Sequence, residues 1–198
     1  MNTLNTQWIL IAAAIAAGLI ALAVWYSYHK KQSQKLHDRF GPEYDRTVED
    51  LGSRAKAESE LKTRERRVDK LNITALTAAE AARFSSSWNT LQGRFVDNPQ
   101  SVVIQADQLV RELMLKRGYP METFEHRAAD ISVDHPAVVH HYRAAQALMV
   151  LSESGKANTE ELRQAVVHYR ALFDELLEVQ DNTAAAASGQ PAPVALHT

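Results

Sequence analysis

The chain has 198 residues, with 22 Lys and Arg against 24 Asp and Glu, for a net charge of −2. It has no cysteine, which excludes disulfides, thiolate metal sites and cysteine nucleophiles. Residues 30–70 carry 12 basic against 9 acidic side chains and residues 71–198 carry 10 against 15, so the larger part is acidic and no nucleic-acid partner is predicted.

Residues 1–7 form a short tail without Lys or Arg. A stretch of nineteen uncharged residues follows, from Trp8 to Tyr26. As a helix it is about 28 Å long, the hydrocarbon thickness of a bilayer. Trp8 stands at one end and Trp25, Tyr26 and Tyr28 at the other, where amphipathic rings suit the headgroup levels. A transmembrane helix is therefore predicted over residues 8–28, with the bilayer as first partner. Lys30, Lys31, Lys35 and Arg39 follow directly, and anionic headgroups are expected at residues 30–39. Positive charge on that side alone predicts an inner-membrane, single-pass protein with its N-terminus outside and its C-terminal domain cytoplasmic. A cleaved signal ending near Ala21-Leu22-Ala23 is the alternative, but the tail lacks the basic start such signals carry. With one glycine in the span there is no GxxxG dimerisation face.

Residues 29–71 read as a charged juxtamembrane helical stem. Gly41-Pro42 interrupts the helix, because proline lacks a donor and disfavours helix at the residue before it. A second helix restarts there with Tyr44, Val48, Leu51 and Ala55 on one face. The stripe lapses from Arg54 to Arg67, where Glu58/Lys62 and Glu60/Arg64 are i,i+4 pairs of a solvated helix or short coiled-coil stem.

Residues 72–178 read as a bundle of about four helices. Thr77 and Glu80 have capping-box spacing. The helix they open places Ala81, Phe84, Trp88, Leu91 and Phe95 on one side, a core face. Asn98-Pro99 starts the next, with Ala106, Leu109, Val110, Leu113 and Met114 inward and Gly118 at its end. A short helix is expected over residues 121–129. Asp134-His135-Pro136 reads as the start of another, with Val138, Tyr142, Ala145 and Met149 on one face. Asn158 and Glu161 cap the last, lined by Leu162, Val166, Tyr169, Phe173 and Leu176. Residues 179–198, rich in Ala, Ser, Gly and Pro, are expected to be disordered. No stretch alternates with period two, so the fold class is all-α.

Catalytic motifs are missing. There is no HExxH, GxSxG, GxxxxGK[ST] or GxGxxG. His140 and His141 are adjacent and point about 100° apart on a helix, so they cannot share a metal by themselves. His135 and His140 could meet Glu125 or Asp134 only through tertiary folding. No catalytic residue, metal or cofactor is assigned.

The chain resembles a bacterial family of single-pass membrane or secreted proteins over roughly residues 36–177. The resemblance rests on Arg39-Phe40-Gly41-Pro42-Glu43-Tyr44-Asp45, Arg94-Phe95-Val96-Asp97, Arg117-Gly118-Tyr119-Pro120, the run from Asp130 to Pro136, and His168-Tyr169-Arg170-Ala171-Leu172-Phe173. The family has no assigned activity, so the resemblance implies no catalytic residues. It does mark Arg39, Phe40, Glu43, Tyr44, Asp45, Arg46, Asp130, Asp134 and His135 as candidate interaction residues. The functional expectation is a membrane-anchored, non-catalytic interaction or scaffold module with an unknown protein partner. The alternatives are a ligand-sensing helical domain and a His/carboxylate metal-dependent enzyme.

Overall fold

The computed structural model describes residues 3–177, with the backbone alone for residues 3–15, Ala21, Trp25 and His29. The described residues form eight helices and no strand, as an all-α reading requires. They are α1 (Thr3–Phe40), α2 (Pro42–Leu51), α3 (Arg54–Val68), α4 (Ala78–Gly93), α5 (Pro99–Arg117), α6 (Phe124–Asp134), α7 (Val139–Glu153) and α8 (Thr159–Leu176).

The backbone of residues 8–28 is helical throughout. Among the described residues no helix is long and apolar enough to cross a membrane. Much of the expected span, with the side chains of Trp8 and Trp25, lies outside the residues so described. The expected disordered tail, residues 179–198, lies outside them too.

Two apolar clusters hold the fold. The larger joins α4, α5, α7 and α8 around Trp88, Val110, Leu113, Tyr142, Tyr169 and Phe173, with Ile131 of α6 beneath. The rings of Trp88 and Phe173 stack at 4.7 Å. Local signals set these helices. Both halves of the capping boxes Thr77/Glu80 and Asn158/Glu161 are made. Asn98 accepts from the Ser101 amide, and Pro99 occupies the first position of α5. Gly118 ends α5 in the left-handed region, at φ +100°. There a Cβ would collide with the Asn72 carbonyl. Its neighbour Arg117 pins the same linker, accepting from the Thr74 amide at 2.9 Å and donating Nε to the Thr74 carbonyl at 3.3 Å.

The second cluster departs from the expected stem. Gly52, at φ +62°, turns the chain back after α2, and α3 folds against it. Ala57, Leu61 and Val68 of α3 are buried inside what reads as a run of charge. Leu36 and Phe40 of α1, Tyr44 of α2, Leu61 and Val68 of α3 and Val133 of α6 pack together. The stem is therefore a helical hairpin docked on the bundle, and α3 is not the solvated helix or short coiled-coil stem expected over residues 54–67. Its apolar stripe runs 57, 61, 64, 68, with Arg64 at the third place. The charge at that place hides the period.

The bundle also contains one more helix of full length than the expected four. α6 runs through Asp134, where a short helix ending near residue 129 was expected. Asp134-His135-Pro136 consequently closes α6 and does not open α7. The His135 amide donates to the Ile131 carbonyl at 2.8 Å as the last bond of α6. α7 starts only at Val139, with no side-chain cap.

Candidate functional site

The seam between the hairpin and the bundle gathers most of the residues singled out above. α1 ends on Arg39 and Phe40, and the Gly41-Pro42 break turns α2 so that Glu43 and Tyr44 face inward. Phe40 is fully buried, and Glu43 retains 3% of its surface. The Glu43 Oε1 atom accepts from Arg143 of α7 at 2.9 Å, Arg64 of α3 at 3.1 Å and Arg46 of its own helix at 3.5 Å. Arg64 also pairs with Glu60 at 3.1 Å, and Arg143 with Glu125 at 2.9 Å. The i,i+4 pair Glu60/Arg64 therefore exists but forms part of a larger network. Glu58, expected to pair with Lys62, instead accepts from Ser33 Oγ at 2.6 Å and the Tyr44 hydroxyl at 3.0 Å.

Arg39 reaches α3 and α6 together. It donates to Glu65 at 3.0 Å and to the Val133 carbonyl at 3.5 Å, and lies 3.6 Å from Asp134. Two blocks more than 90 residues apart in sequence thus meet at one point. Next to them Asp130 is buried and accepts from Arg67 Nε at 2.6 Å. Burial pushes the Asp130 carboxyl above its ordinary value, against the pull of Arg67. Asp45 stays outside, exposed and 3.8 Å from His37. His135 lies on another flank, its Nδ1 3.0 Å from Glu175 of α8, in a polar cleft shared with Arg117, Asp134 and Asp174.

The charged groups of the seam are engaged with one another. The buried carboxylates among the described residues are Glu43, Asp107 and Asp130, and each is engaged by a guanidinium. His135 and His140 fall into separate groups, His135 against Glu175 and His140 tilted 38° against His141 with ring centres 3.9 Å apart. Among the described residues no group of three or more His, Asp or Glu side chains is placed to hold a metal.

Sequence reasoning missed Arg64, Arg67 and Arg143, which carry the seam's positive charge. Their signal is weak, since each sits in a helix where charge reads as solvated surface. Of the residues expected to flank a membrane, Tyr26, Lys30, Lys31 and Lys35 are exposed on α1. Compared with known proteins, the chain matches no family model, no curated protein and no solved structure.

Proposed function

We propose that the chain is a membrane-anchored, non-catalytic interaction module, its bundle held at the cytoplasmic face of the inner membrane by the N-terminal helix. One observation carries the reading. α1 is a single helix whose two ends live in different surroundings. Leu36 and Phe40 are buried in the second cluster, whereas Leu19, Ile20, Leu22 and Val24 are each more than 60% exposed. At 100° per residue those four point to widely different sides of the helix. A helix apolar all round needs a low-dielectric surrounding on every side. Lys30, Lys31 and Lys35 then stand where anionic headgroups attract cations. Because α1 ends inside the hairpin core, the bundle would be coupled to the anchor without a flexible linker.

The test is fractionation and topology in a bacterial host. Full-length protein should resist extraction from membranes by alkaline carbonate, and a C-terminal reporter should be active only in the cytoplasm. Release into the soluble fraction would end the reading of an anchor. Digestion of the bundle by protease added to intact spheroplasts would reverse the orientation.

A second reading, ligand sensing, rests on an open cleft of about 670 Å³ between α1, α2 and α3, lined by Tyr26, Lys30, Ser33, His37, Tyr44 and Glu58 among others. A thermal-shift screen of metabolites tests it. Stabilisation lost on Tyr44→Phe or Glu58→Gln would support it, and no shift with any class would count against it.

A further inference from the structure

We propose that His141 of α7 and His168 of α8 form a two-nitrogen site for a divalent transition-metal ion of the cupric or nickel type, with water completing its coordination. The Nδ1 atoms of the two imidazoles lie 2.8 Å apart. Bonds of about 2.0 Å to a common metal, meeting at a right angle, separate two donors by about 2.8 Å. Right-angled nitrogen donors are the pattern of tetragonal Cu²⁺ and Ni²⁺; a tetrahedral ion holds its donors farther apart. The present contact needs one proton shared between two nitrogens. A metal bound to both Nδ1 atoms lies off the line that joins them, and the shared proton moves to an Nε2 atom so that both rings present a lone pair to the ion.

The pair is built on rigid supports. His141 precedes Tyr142 and His168 precedes Tyr169, and both tyrosines are fully buried in the core between α7 and α8. Neither backbone can move away without opening that core. The two rings are half-buried, so an ion reaches them from solvent. His140 lies exposed at the rim, its ring centre 3.9 Å from that of His141. Burial holds the His141 and His168 imidazoles below their usual protonation range, with the neighbouring His140 adding to the effect. The site is independent of the salt-bridge seam and of the membrane anchor.

The experiment uses the full-length chain without a histidine tag, in detergent, titrated with Cu²⁺ against glycine as competitor. One equivalent should bind, and the paramagnetic resonance spectrum should show nitrogen coupling from two imidazoles. The melting temperature should rise on binding, because the ion straps α7 to α8. His141→Ala and His168→Ala should each weaken binding by about tenfold or more. His168→Gln repeats the test with a bulkier, polar side chain in case the alanine variant unfolds. His135→Ala and His126→Ala should bind as the parent does. Binding unchanged in the His141 and His168 variants, or a spectrum without two imidazole nitrogens, overturns the proposal.

Discussion

Arg143 on α7 and Glu43 on α2 stand 100 residues apart in sequence and 2.9 Å apart in space. That bond ties the hairpin of α2 and α3 to α7 of the bundle. Glu43 is the hub, since Arg64 and Arg46 converge on the same oxygen. Removing one side of a buried ion pair strands the other in a poor solvent. Glu43→Gln should lower the unfolding free energy by about 3 kcal/mol. Arg46→Ala should cost under about 1 kcal/mol, because Arg46 is half-exposed and its 3.5 Å contact is the longest of the three. Chemical denaturation followed by circular dichroism measures both. Equal losses in the two variants would remove Glu43 from the role of hub.

The Arg67–Asp130 pair makes a prediction with a definite pH sign. Burial sets the folded Asp130 value above its unfolded one. Such a group favours the fold most when protonated, and its contribution falls as pH rises through the folded value. Arg67 limits that loss by balancing the ionised form. In Arg67→Ala the folded value climbs further, so the carboxylate is buried alone at neutral pH. The variant should lose about 3 kcal/mol at about pH 7 and clearly less at about pH 4. A loss independent of pH would mean that Arg67 acts through packing alone.

Where the sequence was legible, the signals were local. The capping boxes Thr77/Glu80 and Asn158/Glu161, the Asn98-Pro99 start and the Gly118 end each involve residues within one turn, and each is made. The hairpin was not legible, because its stripe passes through Arg64. Arg64 lies on the same face of α3 as Leu61 and Val68, and its guanidinium is engaged by Glu43. A hydropathy pattern scores that position as solvent. The Asp134-His135-Pro136 boundary failed for a different reason. The same residues can end one helix or begin the next, and the burial of Ile131 and Val133 on α6 decided it. The His141–His168 pair is a tertiary contact, 27 residues apart, and no local pattern announces it.

Trp88 and Phe173 test the main core. Phe173→Ala removes a fully buried ring from its stack on Trp88 and should cost about 3–5 kcal/mol. Trp88→Phe should cost less. The indole N–H is buried and makes no hydrogen bond within the described residues, so its removal sacrifices none. Near-ultraviolet dichroism and denaturation together give the answer. A tryptophan substitution costlier than loss of the phenylalanine ring would point to a partner for that N–H.

Gly118 and Gly155 separate backbone strain from close approach. Both adopt positive φ, +100° and +68°. A side chain at Gly155 meets open space, whereas one at Gly118 would drive into the Asn72 carbonyl. Gly155→Ala should therefore cost only the left-handed strain, about 1–2 kcal/mol. Gly118→Ala should cost more, because the linker beside Asn72 has to move and Arg117 loses its paired bonds with Thr74. The displaced linker should also expose the chain just after Lys70 to trypsin. Faster cleavage there in Gly118→Ala, and none in Gly155→Ala, is the expected pair of results. Equal stability losses and unchanged cleavage would show that the linker yields freely, and that the hairpin and bundle are held together by the Glu43 and Asp130 ion pairs instead.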